Sequence, residues 1–167
     1  KGVVAFFGKP LTLLGEAVVV GQKAPDFTVL DNDLKRKTLA DFAGKVLVVT
    51  SLPSLDTEVC SMETRRFNAE ASKLGSDVQI LALSMDLPFA QKRWCAAAGI
   101  DRVLTLSDHR EADFGVNWGV LIKELRLLAR AVFVVGKDGV LKYLEIVPEG
   151  THEPNYEAAL NAAKALV

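Results

Sequence analysis

The stretch KVLVVTSLPSLDTEVC, residues 45–60, decides the fold. Its first seven residues form an apolar, β-branched run, which is typical of a strand covered on both faces of a sheet. A short loop then leads into Thr57 and Glu58, residue types that favour a helix N-terminus, and we predict a helix from Glu58 to about Leu74. A buried strand followed directly by a helix indicates an α/β protein with its site at the end of the central strand.

The flanking segments extend this pattern. Residues 3–7 and 11–14 predict an N-terminal β-hairpin that turns at Gly8-Lys9-Pro10. Further strands are predicted at 27–30, 78–84, 103–106, 129–135 and 140–146, and helical segments at 38–42, 88–98, 110–118 and 155–165. This order predicts a thioredoxin-like fold, in which helices flank a central mixed β-sheet, and a single domain spanning residues 1–167.

Composition excludes several classes of protein. The 167 residues are enough for one domain with its own core, and a chain that is 50% hydrophobic is not disordered. Lys plus Arg is 20 and Asp plus Glu is 21, so a nucleic-acid partner is not expected. Apolar runs such as 46–49 and 131–135 fall far short of the roughly 20 residues of a membrane span. Without a visible secretion signal, we expect the cytoplasm rather than the periplasm.

The chain has two cysteines, Cys60 and Cys95. Cys60 is the third residue of the predicted helix, where free backbone N–H groups favour negative charge, so we expect a depressed pKa and a reactive thiolate. Cys95 lies on the predicted 88–98 helix, and it pairs with Cys60 only if their Cα atoms come within about 7 Å. Taken alone, Cys95 fits an inert thiol better. The cysteine and histidine spacings match neither a Cys-x-x-Cys reductase nor a zinc site.

Arg130 and Thr57 are further candidates. Arg130 is a lone charge in an otherwise apolar run, so it either projects from the strand end into water or faces an anion inside the protein. Thr57 stands three residues before Cys60, where its hydroxyl caps the helix, faces the sulfur, or does both.

Several separated motifs carry a family resemblance. Residues 53–60, Pro-Ser-Leu-Asp-Thr-Glu-Val-Cys, resemble the Pro-x-x-x-Thr-x-x-Cys loop of the peroxiredoxins, and more narrowly that of the bacterial thiol peroxidase branch, the atypical two-cysteine enzymes. Residues 84–95 are similar to the second-cysteine segment of that branch, and residues 129–132 to its arginine strand. The N-terminal hairpin and residues 153–160 match as well, so the resemblance covers nearly the whole chain.

This resemblance implies a catalytic cycle. Cys60 would be the peroxidatic cysteine, whose thiolate attacks a hydroperoxide and becomes a sulfenic acid. Thr57 and Arg130 would bind the peroxide oxygens, and Pro53 would shield the pocket from water. Cys95 would resolve the sulfenic acid into an intramolecular disulfide that thioredoxin reduces. The expected function is a thiol-dependent peroxidase that reduces alkyl or lipid hydroperoxides, and also hydrogen peroxide.

The resemblance also implies a homodimer and no metal or organic cofactor. One departure from the family pattern is Glu58, which stands where proline is usual, and we expect its carboxylate to point to solvent. A peroxiredoxin with its second cysteine five positions along the same helix is disfavoured because position 65 is arginine. The non-enzyme alternative is a thioredoxin-fold redox sensor or binding protein with little turnover.

Overall fold

The computed structural model describes residues 4–71 and 73–167. The helices are α1 (Glu58–Ala71), α2 (Pro88–Ala98), α3 (Asp113–Asn117) and α4 (Tyr156–Lys164), and a 3-10 turn spans Leu39–Phe42. The strands, in chain order, are β1 (Val4–Phe6), β2 (Lys9–Leu11), β3 (Leu13–Leu14), β4 (Thr28–Leu30), β5 (Arg36–Thr38), β6 (Val46–Ser51), β7 (Val78–Ser84), β8 (Val103–Ser107), β9 (Leu121–Ile122), β10 (Leu127–Leu128), β11 (Ala131–Val135) and β12 (Leu141–Ile146).

Seven of these strands form the central sheet, in the order β12-β11-β6-β7-β8-β4-β5. The β6-β7 and β7-β8 pairs are parallel, and the outer pairs are antiparallel. Each parallel step needs a crossover, and α1 and α2 provide these two connections. The predicted α/β architecture, a central mixed sheet flanked by helices, is confirmed.

Both faces of the sheet are covered, as the apolar run of β6 predicts. Val46 and Val48 face a cluster that contains Cys60, Phe67 and residues of α4. The alternate residues of β6 face a second cluster, where a group of aromatic rings packs beneath the sheet: Phe27, Phe114, Trp118 and Phe133. Because side chains alternate along a strand, the continuous apolar run serves both cores at once.

The N-terminal hairpin is confirmed, but its second strand is not where we predicted it. The turn consists of Phe7 and Gly8, both with positive φ (51° and 78°), so β2 begins at Lys9 and pairs with β1. Leu13–Leu14 leaves the hairpin and pairs with β9 in a separate three-stranded sheet. Residues 1–3 and Ser72 of the predicted domain lie outside the described part of the chain. They include Val3, the first residue of the predicted hairpin.

Outside the hairpin, three element boundaries differ from the prediction by two residues or more. Helix α1 ends at Ala71 rather than near Leu74. Helix α3 begins only at Asp113, because Ala112 adopts a left-handed conformation (φ 53°) that ends any helix from residue 110. Strand β11 begins at Ala131, which leaves Arg130 just outside it. None of the helices in the described part of the chain is long and apolar enough to cross a membrane.

Candidate active site

The loop between β6 and α1 is fastened to the next strand by one carboxylate. Asp86, just after β7, accepts a 2.7 Å hydrogen bond from the Ser54 hydroxyl and a 2.8 Å bond from the Leu55 backbone N–H. The Ser84 hydroxyl donates to the same carboxylate at 2.7 Å. The loop that carries Pro53 and leads into α1 is therefore held at the carboxyl ends of the parallel strands.

Cys60 lies on the first turn of α1 with its side chain fully buried. It belongs to the core cluster formed by β6, β11 and the helices on that face, which also includes Leu52 and Leu55 from the loop. The surroundings of the sulfur are therefore apolar, apart from the few polar groups described next.

Arg130 is the charged group of the site, and only 2% of its surface is exposed. Its Nη1 donates to Oε1 of Glu63 at 2.9 Å, while Nε and Nη2 both donate to the Gly150 carbonyl, at 3.1 and 2.8 Å. Its positive charge and a hydrogen bond also act on the Cys60 thiol. Of the two positions considered for Arg130 from the sequence, the structure shows the buried one, facing anions inside the protein.

Glu63 is a site residue that sequence reasoning missed. It is completely buried on α1, three residues after Cys60, and its Oε2 has no hydrogen-bond partner among the residues that the structure describes. Burial raises the pKa of Glu63 to about 7, although the charge of Arg130 opposes this. The missed signal was the spacing: residues three apart on a helix share a face, so Glu63 had to lie beside Cys60.

The pKa of the Cys60 thiol is raised, whereas the sequence predicted a lowered one. Burial raises it above its ordinary value, and this effect outweighs the charge of Arg130 and the hydrogen bonds from Thr57 and the Ser54 backbone, all of which lower it. The expectation of a depressed pKa considered only the helix terminus and omitted desolvation. Thiolate formation in this closed arrangement therefore depends on Arg130 and Thr57.

Thr57 and Pro53 both lie at the site, as the sequence placed them. The Thr57 hydroxyl donates to the Ser54 carbonyl at 2.9 Å, and its interaction with Cys60 lowers the pKa of that thiol. Pro53 is buried and lines a small cavity together with Arg130. Glu58 is exposed, as expected, and is not among the groups that shift the Cys60 pKa.

Cys95 is not joined to this group. It is partly exposed on α2, and its sulfur lies 3.3 Å from the Thr105 hydroxyl on β8. Both cysteines are free thiols. Helices α1 and α2 are nevertheless neighbours, because the Arg65 guanidinium stacks over the Trp94 ring at 5.8 Å.

The described residues offer no metal site, and their cavity of about 410 Å³ lies away from Cys60. Within residues 4–71 and 73–167, no group of three His, Cys, Asp or Glu side chains is placed to hold a metal ion. A cavity of about 410 Å³ lies between the 3-10 turn and the β11–β12 turn, and Lys45 and Leu47 at the start of β6 line it. Cys60 follows the other end of that strand, so this cavity is separate from the thiol.

Residues 19–160 match the family model described as Redoxin, and this range includes both cysteines and Arg130. The chain belongs to the Redoxin family. This Redoxin chain is 58% identical over 164 residues to the thiol peroxidase of Bacillus subtilis, a match that covers 98% of each protein. It is also 61% identical over 158 residues to the thiol peroxidase of Oceanobacillus iheyensis, covering 95% of this chain and 96% of the relative.

Solved structures agree with this family assignment. The crystal structure of a peroxiredoxin-like protein from Aquifex aeolicus matches the Redoxin chain with a TM-score of 0.93 and 40% sequence identity. That match covers 100% of this chain and 98% of the other. The thioredoxin-like fold expected from the sequence is therefore confirmed for the Redoxin protein.

Proposed function

We propose that this protein is a thiol-dependent peroxidase that reduces hydroperoxides through Cys60. The observation that carries the proposal is the buried Cys60 thiol, with Arg130 and Thr57 both acting on its sulfur. The Cys60 thiolate attacks the terminal oxygen of the hydroperoxide, and the O–O bond breaks. The other oxygen leaves with a proton as an alcohol or water, and the cysteine becomes a sulfenic acid.

Arg130 has donors left for this step. A guanidinium has five N–H groups, and the bonds to Glu63 and Gly150 use three of them. The remaining two are available to the thiolate and to the peroxide oxygens, on which charge develops as the O–O bond breaks. Thr57 supplies a hydroxyl on the same side of the sulfur.

The surroundings of the sulfur favour an organic substrate. Cys60 has no exposed surface, so a peroxide reaches it only after a local opening of the structure around the sulfur. The loop residues Leu52 and Leu55 would then face the substrate, because they share the apolar cluster of Cys60. An alkyl or lipid hydroperoxide buries its chain against such side chains, a gain that hydrogen peroxide lacks.

We further propose that Cys95 resolves the sulfenic acid and that thioredoxin reduces the resulting disulfide. Cys95 is partly exposed, on the helix next to α1. Condensation of its thiol with the Cys60 sulfenic acid releases water and forms the S–S bond. Because a disulfide requires Cα atoms within about 7 Å, the ends of α1 and α2 unwind during this step.

The variant Cys95→Ser tests the proposed cycle. We expect it to consume one equivalent of cumene hydroperoxide at nearly the wild-type rate, since Cys60 and its partners are unchanged. Thioredoxin-linked turnover should then fall by about a hundredfold or more, because thioredoxin has no disulfide to reduce. Stopped-flow fluorescence measures the first turnover, and NADPH oxidation with thioredoxin and its reductase measures the cycle.

Two results would count against this proposal. Full thioredoxin-linked turnover in Cys95→Ser would remove the resolving role from Cys95. Stoichiometric oxidation of the wild-type protein without catalytic turnover would favour a redox sensor instead.

We place the reaction in the cytoplasm, whose reducing pool keeps both thiols free between cycles. We also treat residues 1–167 as one domain, because both cores lie on the same sheet.

We propose a homodimer whose interface includes the start of α2. Leu87 and Phe89 expose 52% and 68% of their surfaces there, directly after Asp86, which ties this segment to the active-site loop. The family resemblance implies a homodimer, and in the dimer that we propose a second copy of the chain covers this apolar pair. Burial of two such side chains per subunit contributes to association.

Phe89→Glu should convert the dimer to a monomer at micromolar concentration, because a carboxylate buried in the interface lacks a partner. Sedimentation velocity measures the change. Leu125→Glu is the matched control, since Leu125 is 43% exposed on the turn between β9 and β10 and should leave the dimer intact. A monomeric wild type, or a Phe89→Glu protein that stays dimeric, would contradict this interface.

A further inference from the structure

Two of the three hydrogen bonds that orient the Arg130 guanidinium go to a single backbone carbonyl. Nε and Nη2, on one edge of the guanidinium, both donate to the oxygen of Gly150. Glu63 holds only Nη1. The Gly150 oxygen and Glu63 therefore fix the plane of the guanidinium together, and with it the direction in which its two free N–H groups point.

The N-terminal hairpin holds Gly150 in place. The Gly150 N–H donates to the Ala5 carbonyl at 2.8 Å, and the Ala5 N–H donates to the Pro148 carbonyl at 2.7 Å. These two bonds form an isolated parallel bridge between Ala5 and Glu149. The hairpin thus borders the loop that orients Arg130, although it lies far from Cys60 in sequence.

Glu149 fastens the tip of the hairpin to this loop. Its carboxylate accepts hydrogen bonds from the backbone N–H groups of Phe7 and Gly8, at 3.1 and 2.9 Å, and from the N–H and hydroxyl of Thr151, at 3.1 and 2.9 Å. The backbone bonds to Gly8, Thr151 and Phe7 lower the pKa of Glu149 to about 2, so it stays ionised at neutral pH. The Glu149 carboxylate therefore joins the hairpin turn, at Phe7 and Gly8, to Thr151, the residue that follows Gly150.

The hairpin also packs closely against the site. Its residues Val4, Phe6 and Leu11 line one small cavity together with Pro53 and Arg130, and the free volume there is about 10 Å³. That is room for about one water molecule. A shift of the hairpin would therefore change the packing beside Arg130.

We propose that Glu149 is a positioning residue for Arg130, which it orients by fastening the N-terminal hairpin to the loop that presents the Gly150 carbonyl. This inference rests on the proposed peroxidase function and adds a residue that touches neither substrate nor sulfur. Small errors in the position of a catalytic group cost large factors in rate, which makes the connection measurable.

Glu149→Ala removes all four hydrogen bonds, and Glu149→Gln keeps an amide oxygen that still accepts from the turn. We expect Glu149→Ala to slow the oxidation of Cys60 by cumene hydroperoxide about tenfold. Glu149→Gln should recover only part of that loss, because its amide nitrogen cannot accept from a backbone N–H. The pH dependence of Cys60 alkylation should shift upward in the alanine variant, because Arg130 no longer faces the thiolate as closely. Cys95→Ser serves as the background, so that alkylation reports Cys60 alone.

The matched control is Glu124→Ala. Glu124 is also an exposed carboxylate that holds the hairpin region, since it accepts the Thr12 N–H and hydroxyl, each at 2.8 Å. Among the described residues, no hydrogen bond or ion pair joins Glu124 to Gly150. We expect Glu124→Ala to keep the oxidation rate and the alkylation profile of the parent.

Two results separate this inference from the proposed function. If Glu149→Ala loses thermal stability but keeps the parent oxidation rate and alkylation profile, its role is structural only and the inference is wrong. If the parent protein itself does not react with hydroperoxide, the proposed function fails, while alkylation still reports whether Glu149 acts on Cys60 through Arg130.

Discussion

Cys60→Ser should abolish hydroperoxide consumption, with a loss of at least about a thousandfold in rate. A serine hydroxyl is not ionised at neutral pH and forms no sulfenic acid, so neither Arg130 nor Thr57 has a nucleophile to assist. The fold should survive, because serine is no larger than cysteine and both Thr57 and Arg130 offer it polar contacts. Loss of cumene hydroperoxide is followed directly, with the unfolding temperature measured in parallel.

Cys95→Ser is the matched control for this variant, since it makes the same chemical change at the other cysteine. It should keep the first turnover that Cys60→Ser loses. Peroxide consumption by Cys60→Ser at the wild-type rate, with oxidation found on Cys95, would show that the two cysteines have been assigned the wrong roles.

Arg130→Met should have the second-largest effect, because it acts on both rate and stability. Loss of the two free donors should slow Cys60 oxidation by about a hundredfold to a thousandfold. The variant also leaves Glu63 buried without its partner, which costs about 3–5 kcal/mol in the free energy of unfolding. Stopped-flow oxidation and urea unfolding measure the two effects separately.

A double variant separates the effect on the oxidation rate from the effect on stability. In Glu63→Leu/Arg130→Met the buried ion pair becomes two apolar side chains of similar size, a replacement that is often neutral or stabilising. We expect the double variant to unfold within about 1 kcal/mol of the wild type and to remain as slow as Arg130→Met. Recovery of the oxidation rate together with the stability would mean that Arg130 serves the fold rather than the chemistry.

Much of the fold followed from short-range pattern. The β6 run, the helix after Thr57, and Pro88 and Gly99 at the two ends of α2 are local signals, and the structure confirms all of them. The strands that sequence reasoning missed, β5, β9 and β10, are only two or three residues long. Pairing partners distant in sequence, rather than their own residues, make such short segments into strands.

The site residues show the same difference between local signals, which the sequence reveals, and contacts that form only on folding. Thr57 directly precedes α1 and stands three residues before Cys60, so spacing alone placed the two together. Arg130 was identified as a lone charge in an apolar run, but its partner Glu63 was not, because a glutamate on a helix is usually exposed and only the folded chain buries this one. The direction of the Cys60 pKa was wrong for a physical reason: desolvation depends on tertiary packing, which local sequence does not encode.

The hairpin contacts lie furthest from what sequence reveals. Gly150 and Glu149 carry no motif of their own, and their roles depend on bonds to Ala5, Phe7 and Gly8 more than 140 positions away. Those contacts exist only once the chain is folded. A glycine carbonyl that orients an arginine has no signature in a single sequence.

Peptide mapping after one equivalent of peroxide tests the central claim most directly. Trypsin should release Cys60 within residues 46–65 and Cys95 within residues 94–102. After treatment with cumene hydroperoxide, mass spectrometry under non-reducing conditions should find these two peptides linked by a disulfide, and thioredoxin should separate them again. Two unlinked peptides with Cys60 unmodified, or oxidation confined to Cys95, would contradict the account.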